Sequence, residues 1–237
     1  MKRYLLLLIP FAIACSSEKP SDQTKKTDSA GVVEDKEFDS IKINANVFRL
    51  DSISQQEFLL LKAPNEVLPD SEMIDDTDRV ARLGKDLTFK LGNGKDTTFV
   101  NDTTEDNFTI YSYIEAQSDI GYWVAFASYY EGGSYMLISQ KDGGITYCWG
   151  YPDISPDKKH IISASFDLEA AFFENGLQLY SISNGALRKE FEKELIYWGP
   201  SSVRWKDNNT IDIEQSYYPS EDAKDFVKKY KRMRVIQ

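Results

Sequence analysis

The feature that most constrains this chain is a succession of short apolar runs separated by tight polar turns. Leu87, Phe89 and Leu91 alternate with other residues, Gly92-Asn93-Gly94-Lys95 follows, and Thr97-Thr98-Phe99-Val100 comes next. Successive side chains of a strand point to opposite faces, and Gly and Asn accept the positive φ that tight turns need, so this segment predicts a hairpin. Phe108–Ile114 predicts the next strand, after a polar loop at 101–107. Tyr122–Tyr130 and Ser134–Gln140 predict a second hairpin, turning at Glu131-Gly132-Gly133. Such pieces build antiparallel sheets, and the expected class is mainly β with minor helix.

The flanks carry different signals. Ile41, Ile43, Ala45 and Val47 alternate, which predicts one strand that Phe48 to Leu50 extend. Ser54 and Glu57 have capping-box spacing for a short helix running to Leu61. Near the C-terminus Ser220, followed by Glu221 and Asp222, predicts the start of another short helix. Tyr230 to Ile236 predicts a final strand. Residues 223–237 hold six Lys/Arg and one Asp, read as a solvated face, with anionic lipid or an acidic partner as the alternatives.

One internal echo is present. Met136-Leu137-Ile138-Ser139 aligns with Gln178-Leu179-Tyr180-Ser181 42 residues on, and Gly143 aligns with Gly185 at the same offset. Asp157 aligns with Asp207 at an offset of 50. Three to four strands per unit of about 40–50 residues is the content of a propeller blade. Tyr151-Pro152-Asp153-Ile154-Ser155-Pro156-Asp157-Lys158-Lys159 resembles the S-P-D-G-K blade motif of TolB-like and WD40-like propellers, with Lys158 where that family often has Gly. Ser201 to Ile211 is the second copy, with Trp205-Lys206-Asp207 in the place of Ser-Pro-Asp. The resemblance covers about 122–215. It implies two blade-like repeats in an open or irregular arrangement, because two recognisable repeats in about 185 residues do not make a comfortable ring, with a small four-blade ring as the alternative. Gly150 to Pro152, Ser155 to Asp157, Asp167, Gly176 to Tyr180 and Trp198 to Pro200 also resemble a pattern in envelope lipoproteins of uncharacterised function.

The first residues read as an address. Lys2 and Arg3 precede an apolar run from Tyr4 to Ala14. That run is shorter than the ~20 residues a membrane-spanning helix needs, and it suits a signal-peptide core. Ala12-Ile13-Ala14-Cys15 resembles the lipobox of bacterial lipoproteins. The resemblance implies cleavage before Cys15, acylation of Cys15 and attachment to a membrane of the cell envelope. Ser16 after the cysteine implies the outer membrane. An ordinary secreted protein cut after Ala14 is the alternative. The expected organisation is a signal peptide at 1–14, a lipidated, flexible tether at 15–37 and a single all-β domain at 38–237.

Charge and rare residues narrow the chemistry. The chain has 28 Lys+Arg against 38 Asp+Glu, a net charge of -10, which opposes general nucleic-acid binding. With one histidine, His160, and two cysteines, Cys15 and Cys148, a zinc or Fe–S site built from His and Cys does not fit, and no cofactor is implied. Cys148 sits in a strand-like run and reads as a small buried hydrophobe. There is no G-x-S-x-G elbow and no Gly-rich phosphate loop, so no catalytic residue is assigned. The acidic stretch from Asp70 to Asp78 lacks EF-hand spacing and reads as a loop. Asp167 and Glu169, two apart, would share one face of a strand, exposed or bridged by a cation or partner. Among the many aromatics, Tyr129, Tyr130 and Trp198 lie beside turns and are expected to be exposed binding platforms. The expected function is non-catalytic binding, as an accessory to an envelope protein partner. A glycan-binding or glycan-processing lipoprotein is the alternative.

Overall fold

The computed structural model describes residues 38–64 and 78–236. The signal peptide, Cys15, the tether and most of the acidic stretch lie outside the described residues. Ser40–Ile43 (β1) and Asn46–Ser52 (β2) form a hairpin rather than the one predicted strand. The chain reverses at Asn44, whose φ is 54°. Asn tolerates this left-handed region better than most residues. The reversal keeps Ile41, Ile43, Phe48 and Leu50 buried together. Gln55–Leu59 (α1) follows with the predicted capping box: Glu57 N–H donates to Ser54 Oγ at 3.2 Å, and Ser54 N–H to the Glu57 carboxylate at 2.9 Å.

The other strands make four antiparallel sheets with β1 and β2. Val80–Leu83 (β3), Asp86–Lys90 (β4) and Asp96–Val100 (β5) form the first sheet. Thr109–Gln117 (β6), Tyr122–Tyr129 (β7), Gly133–Ser139 (β8) and Ile145–Cys148 (β9) form the second. Pro152–Ile154 (β10), His160–Ser165 (β11), Gly176–Ser183 (β12) and Ala186–Glu194 (β13) form the third. The fourth runs in the order Gly199–Trp205 (β14), Thr210–Tyr217 (β15), Val227–Arg234 (β16), β2, β1. Leu50 of β2 pairs with Met233 of β16, so an early strand completes the sheet made by the late ones. Both predicted hairpins, β4–β5 and β7–β8, are present.

Alternation explains how the sheets stack. In β7, Trp123, Ala125 and Ala127 pack toward Leu87 and Phe89 of the first sheet. Tyr122 and Val124, one step out of phase, pack with Ile161 and Tyr180 of the third. In β11, Ile161 faces the second sheet, and Ile162 joins Ile211, Ile213 and Met233 of the fourth. A strand covered on both faces carries a continuous apolar run, whereas β4, covered on one, alternates cleanly. Three cores thus join the sheets in the order first to fourth, and among the described residues none joins first to fourth directly. The protein is mainly β, with blade-like sheets in an open stack.

The internal echo has a structural basis. Met136–Ser139 lies in β8 and Gln178–Ser181 in β12, the third strands of adjacent sheets. Gly143 and Gly185 follow them with φ of 78° and 74°. Asp157 and Asp207 each close the turn between first and second strands, accepting N–H bonds from Lys159 (3.2 Å) and Asn209 (2.9 Å). Lys158 itself takes the left-handed conformation, φ 61°, in the place where the motif often has glycine.

The C-terminal expectations need correction. Ser220 accepts one turn bond from Ala223 N–H (3.1 Å), and no helix forms. Phe226 packs against Phe166 and Tyr218, at 5.0 and 4.2 Å between ring centroids. A single turn held that way gains too little to nucleate a helix. The last strand starts earlier than predicted, at Val227. Of its basic residues, Lys228, Lys229 and Arg234 are exposed, but Lys231 is buried against Asp39 and Ser52. Arg232 grips the fully buried Asp212 with two bonds, of 2.7 and 2.8 Å.

Candidate functional site

The most site-like concavity runs beside β10 and the ends of β6 and β14. Two cavities of about 390 and 370 Å³ share Pro64, Tyr151 and Asp153 as a common wall. The first is polar, with Lys62, Gln117 and Trp205 beside that wall. The second is aromatic, with Phe126, Tyr135, Trp149, Phe166 and Phe173.

Local sequence builds the wall. Pro152 is buried within the three-residue edge strand β10, where a missing N–H does no harm. Tyr151 and Asp153, on either side of it, therefore share a face. Gly150 lets this segment close onto β11, since a Cβ there would sit 1.8 Å from the Ala164 carbonyl oxygen. Ser163 Oγ accepts from Gly150 N–H (2.9 Å) and donates to Gly150 C=O (3.0 Å). Trp149 N–H donates to Gln178 (2.9 Å), and Trp205 Nε1–H donates to the Asp153 carbonyl (3.0 Å). Arg204 donates to the carbonyls of Phe58 and Leu61, at 3.2 and 2.8 Å, which holds the chain leading to Lys62 above β14.

The polar groups are arranged unequally. Tyr151 donates its hydroxyl proton to Glu115, and Gln117 Nε2 donates to the same carboxylate oxygen at 2.5 Å. Burial, with the Glu115 hydrogen bond and charge, pushes the Tyr151 phenol up. Burial pushes the Asp153 carboxyl up to about 7, against the smaller opposing pull of Lys62 and the Ile154 N–H. Near neutral pH this carboxyl is thus poised between an acceptor and a donor. Such a constellation can hold hydroxyl or amide groups over an aromatic floor.

The sequence-predicted site residues lie elsewhere. Tyr129 and Tyr130 are exposed as expected, Tyr130 at 75 %, in a shallow concavity with Glu105, Asp106 and Glu131. Trp198 is a correction: at 2 % exposure it belongs to the core between the third and fourth sheets. It sits beside a bend, but Ile43, Leu195 and Val203 belong to the same core and cover it. Asp167 and Glu169 are a second correction, because β11 ends at Ser165 and both fall in the following loop. Asp167 accepts N–H bonds from Glu169, Ala170, Ala171, Phe172 and Phe173. Burial raises its pKa, but those amides outweigh burial and hold the carboxyl below its ordinary range. Glu169 accepts from the Tyr218 hydroxyl instead of sharing a face with Asp167. Buried Asn175 ties the loop down, accepting from Asp167 N–H (3.2 Å) and donating to the carbonyls of Leu195 (2.6 Å) and Trp198 (2.9 Å).

Asp167 therefore acts on the groove indirectly, by shaping the loop that sets Phe166 and Phe173 at its rim. The residues that sequence reasoning passed over are Tyr151 and Asp153. The signal available was their i, i+2 spacing about Pro152 inside the propeller-like motif. Cys148 is fully buried with its thiol pushed up to about 12 by burial, as befits a packed side chain. His160 lines a different cavity, with Phe48, Glu190 and Phe191. Compared with protein-family models, curated proteins and solved structures, the chain matches none.

Proposed function

We propose that the protein is a non-catalytic binding protein of the bacterial cell envelope, anchored through acyl chains on Cys15, that holds a ligand or partner in the groove beside β10. The observation that carries this reading is the groove itself. It is of ligand size, aromatic on one side, and supplied with a few converging polar groups, as binding sites commonly are. The non-catalytic part is supported by the placement of the reactive side chains. The single histidine lines another cavity, and the thiol of Cys148 is buried and protonated at neutral pH. The anchor is supported by the lipobox-like Ala12-Ile13-Ala14-Cys15.

The test is a cross-linking pull-down from intact cells with C-terminally tagged protein, run beside Cys15→Ala and Tyr151→Phe. Capture of one envelope component, lost in either variant, is the expected result. Capture that is indifferent to Tyr151 would remove the groove from the reading. Labelling with a palmitate analogue that persists in Cys15→Ala would remove the anchor.

A further inference from the structure

We infer that the groove's ligand is a neutral oligosaccharide, with one pyranose ring against the aromatic cavity and the next ring's hydroxyls paired by Tyr151, Gln117 and Asp153. This rests on the binding reading above and adds the ligand class.

Asp153 is the shared acid of both cavities, and among the described residues only the Ile154 N–H and the charge of Lys62 support its carboxylate. A half-buried carboxyl facing open space needs donors from whatever enters. A cationic ligand would supply them, but Lys62 lines the same cavity and would repel it. An anionic ligand would meet Asp153 itself. Neutral donors satisfy both constraints, and vicinal hydroxyls present two such donors side by side.

The second half of the groove supports the same ligand. Phe126 and Tyr135 meet edge to face at 4.9 Å, and Tyr135 and Tyr151 likewise at 5.8 Å. These contacts leave the rings fixed in place with half-buried surfaces toward the cavity. Trp149 lines it too, its backbone held by Gln178. A sugar ring has one face rich in C–H groups and an equator rich in hydroxyls. It matches an aromatic wall followed by a polar end, whereas a purely apolar ligand would leave the Asp153 carboxyl without donors. Each cavity, at about 390 and 370 Å³, has room for one ring with its substituents. The loop fixed by Asp167 brings Phe173 to the aromatic end, so the rim is rigid before a ligand arrives.

The experiment is calorimetric titration of the full chain in detergent with chitotetraose, cellotetraose and maltotetraose. Trp149→Ala removes stacking area, Tyr151→Phe removes one hydroxyl but keeps the ring, and Tyr130→Ala is a surface control. Expected is saturable binding of at least one tetrasaccharide, weakened about tenfold by each groove variant and unchanged in the control. Thermal melts of Tyr151→Phe check that the fold persists. Binding unchanged in both groove variants would overturn the inference. So would no binding of any sugar while the cellular pull-down still depends on Tyr151, an outcome that leaves the binding reading intact. If neither assay depends on Tyr151, both readings fall.

Discussion

The two ends of the stack are built on opposite plans. The first sheet is local: β3, β4 and β5 follow one another, and the sheet is held to the rest through one core centred on Phe89 and Trp123. The fourth sheet is assembled from both ends of the described chain and locked by Arg232–Asp212 and by Lys231 against Asp39 and Ser52. Local pairing costs little loop entropy but leaves an end free to detach, whereas long-range pairing costs more and couples that end to everything else. The first sheet should therefore open alone, and the fourth should open only with the whole domain.

Trp123→Ala is the strongest way to break that contrast. The ring is fully buried, lies 5.2 Å from Phe89 and carries the Arg79 guanidinium at 4.7 Å. Its loss should cost about 4 kcal/mol. Hydrogen exchange should show amides of 86–100 losing protection while β14 to β16 keep theirs. Equal loss in both would refute local opening. Arg232→Ala strands a fully buried carboxylate at the other end and should cost about 3 kcal/mol. Here urea unfolding should keep a single transition at a lower midpoint, since this end does not open by itself.

Asp153→Asn should sharpen the contrast through pH. The folded carboxyl titrates at about 7 and the ordinary value is 3.8. Between those values the unfolded chain has released the proton that the folded chain keeps. This group therefore stabilises fully below pH 4 and loses that contribution as pH rises toward 7. Wild type should lose stability relative to the Asn variant across that window, and parallel curves would contradict it. The smallest effects compare the two equivalent turns. Gly185→Ala meets open space at φ 74° and should cost about 1 kcal/mol from backbone strain. Gly143→Ala should cost more, because its Cβ would lie 2.5 Å from Thr97 Oγ1 and 3.0 Å from Leu91 Cδ1, both in the first sheet's hairpin region. Melting temperatures of the pair decide the order.

What was legible in the sequence follows the same division. The hairpins at 87–100 and 122–140, the capping box at Ser54 and the echo between 136–139 and 178–181 were readable because their causes lie within a few residues or a fixed repeat. The chain reversal at Asn44 was hidden by an unbroken alternation. The pairing of β2 with β16 was not readable, because partners so far apart in sequence leave no local pattern. The same holds for the site. Exposure of Tyr130 followed from its turn, but Trp198 was covered by residues from distant strands. Asp167 looked like half of an acidic pair, yet five amides of its own loop claim it. Tyr151 and Asp153 became a site only when Gln117 and Trp205 from other sheets, and Lys62 from the segment after α1, were brought around them.

The long-range closure also sets a clock. Ser52 and Lys231, whose side chains meet at 3.0 Å, are 179 positions apart. At translation speeds of roughly 5–20 residues per second, about 10–40 s pass between making one and making the other. During that interval the second and third sheets can pair from neighbouring strands, while the β1–β2 hairpin has only third-sheet residues such as Phe191 to cover Phe48 and lacks its sheet neighbour β16. The hairpin can join its permanent sheet only after β16 has emerged, and until then the edge of β2 that β16 will cover is open to misassociation.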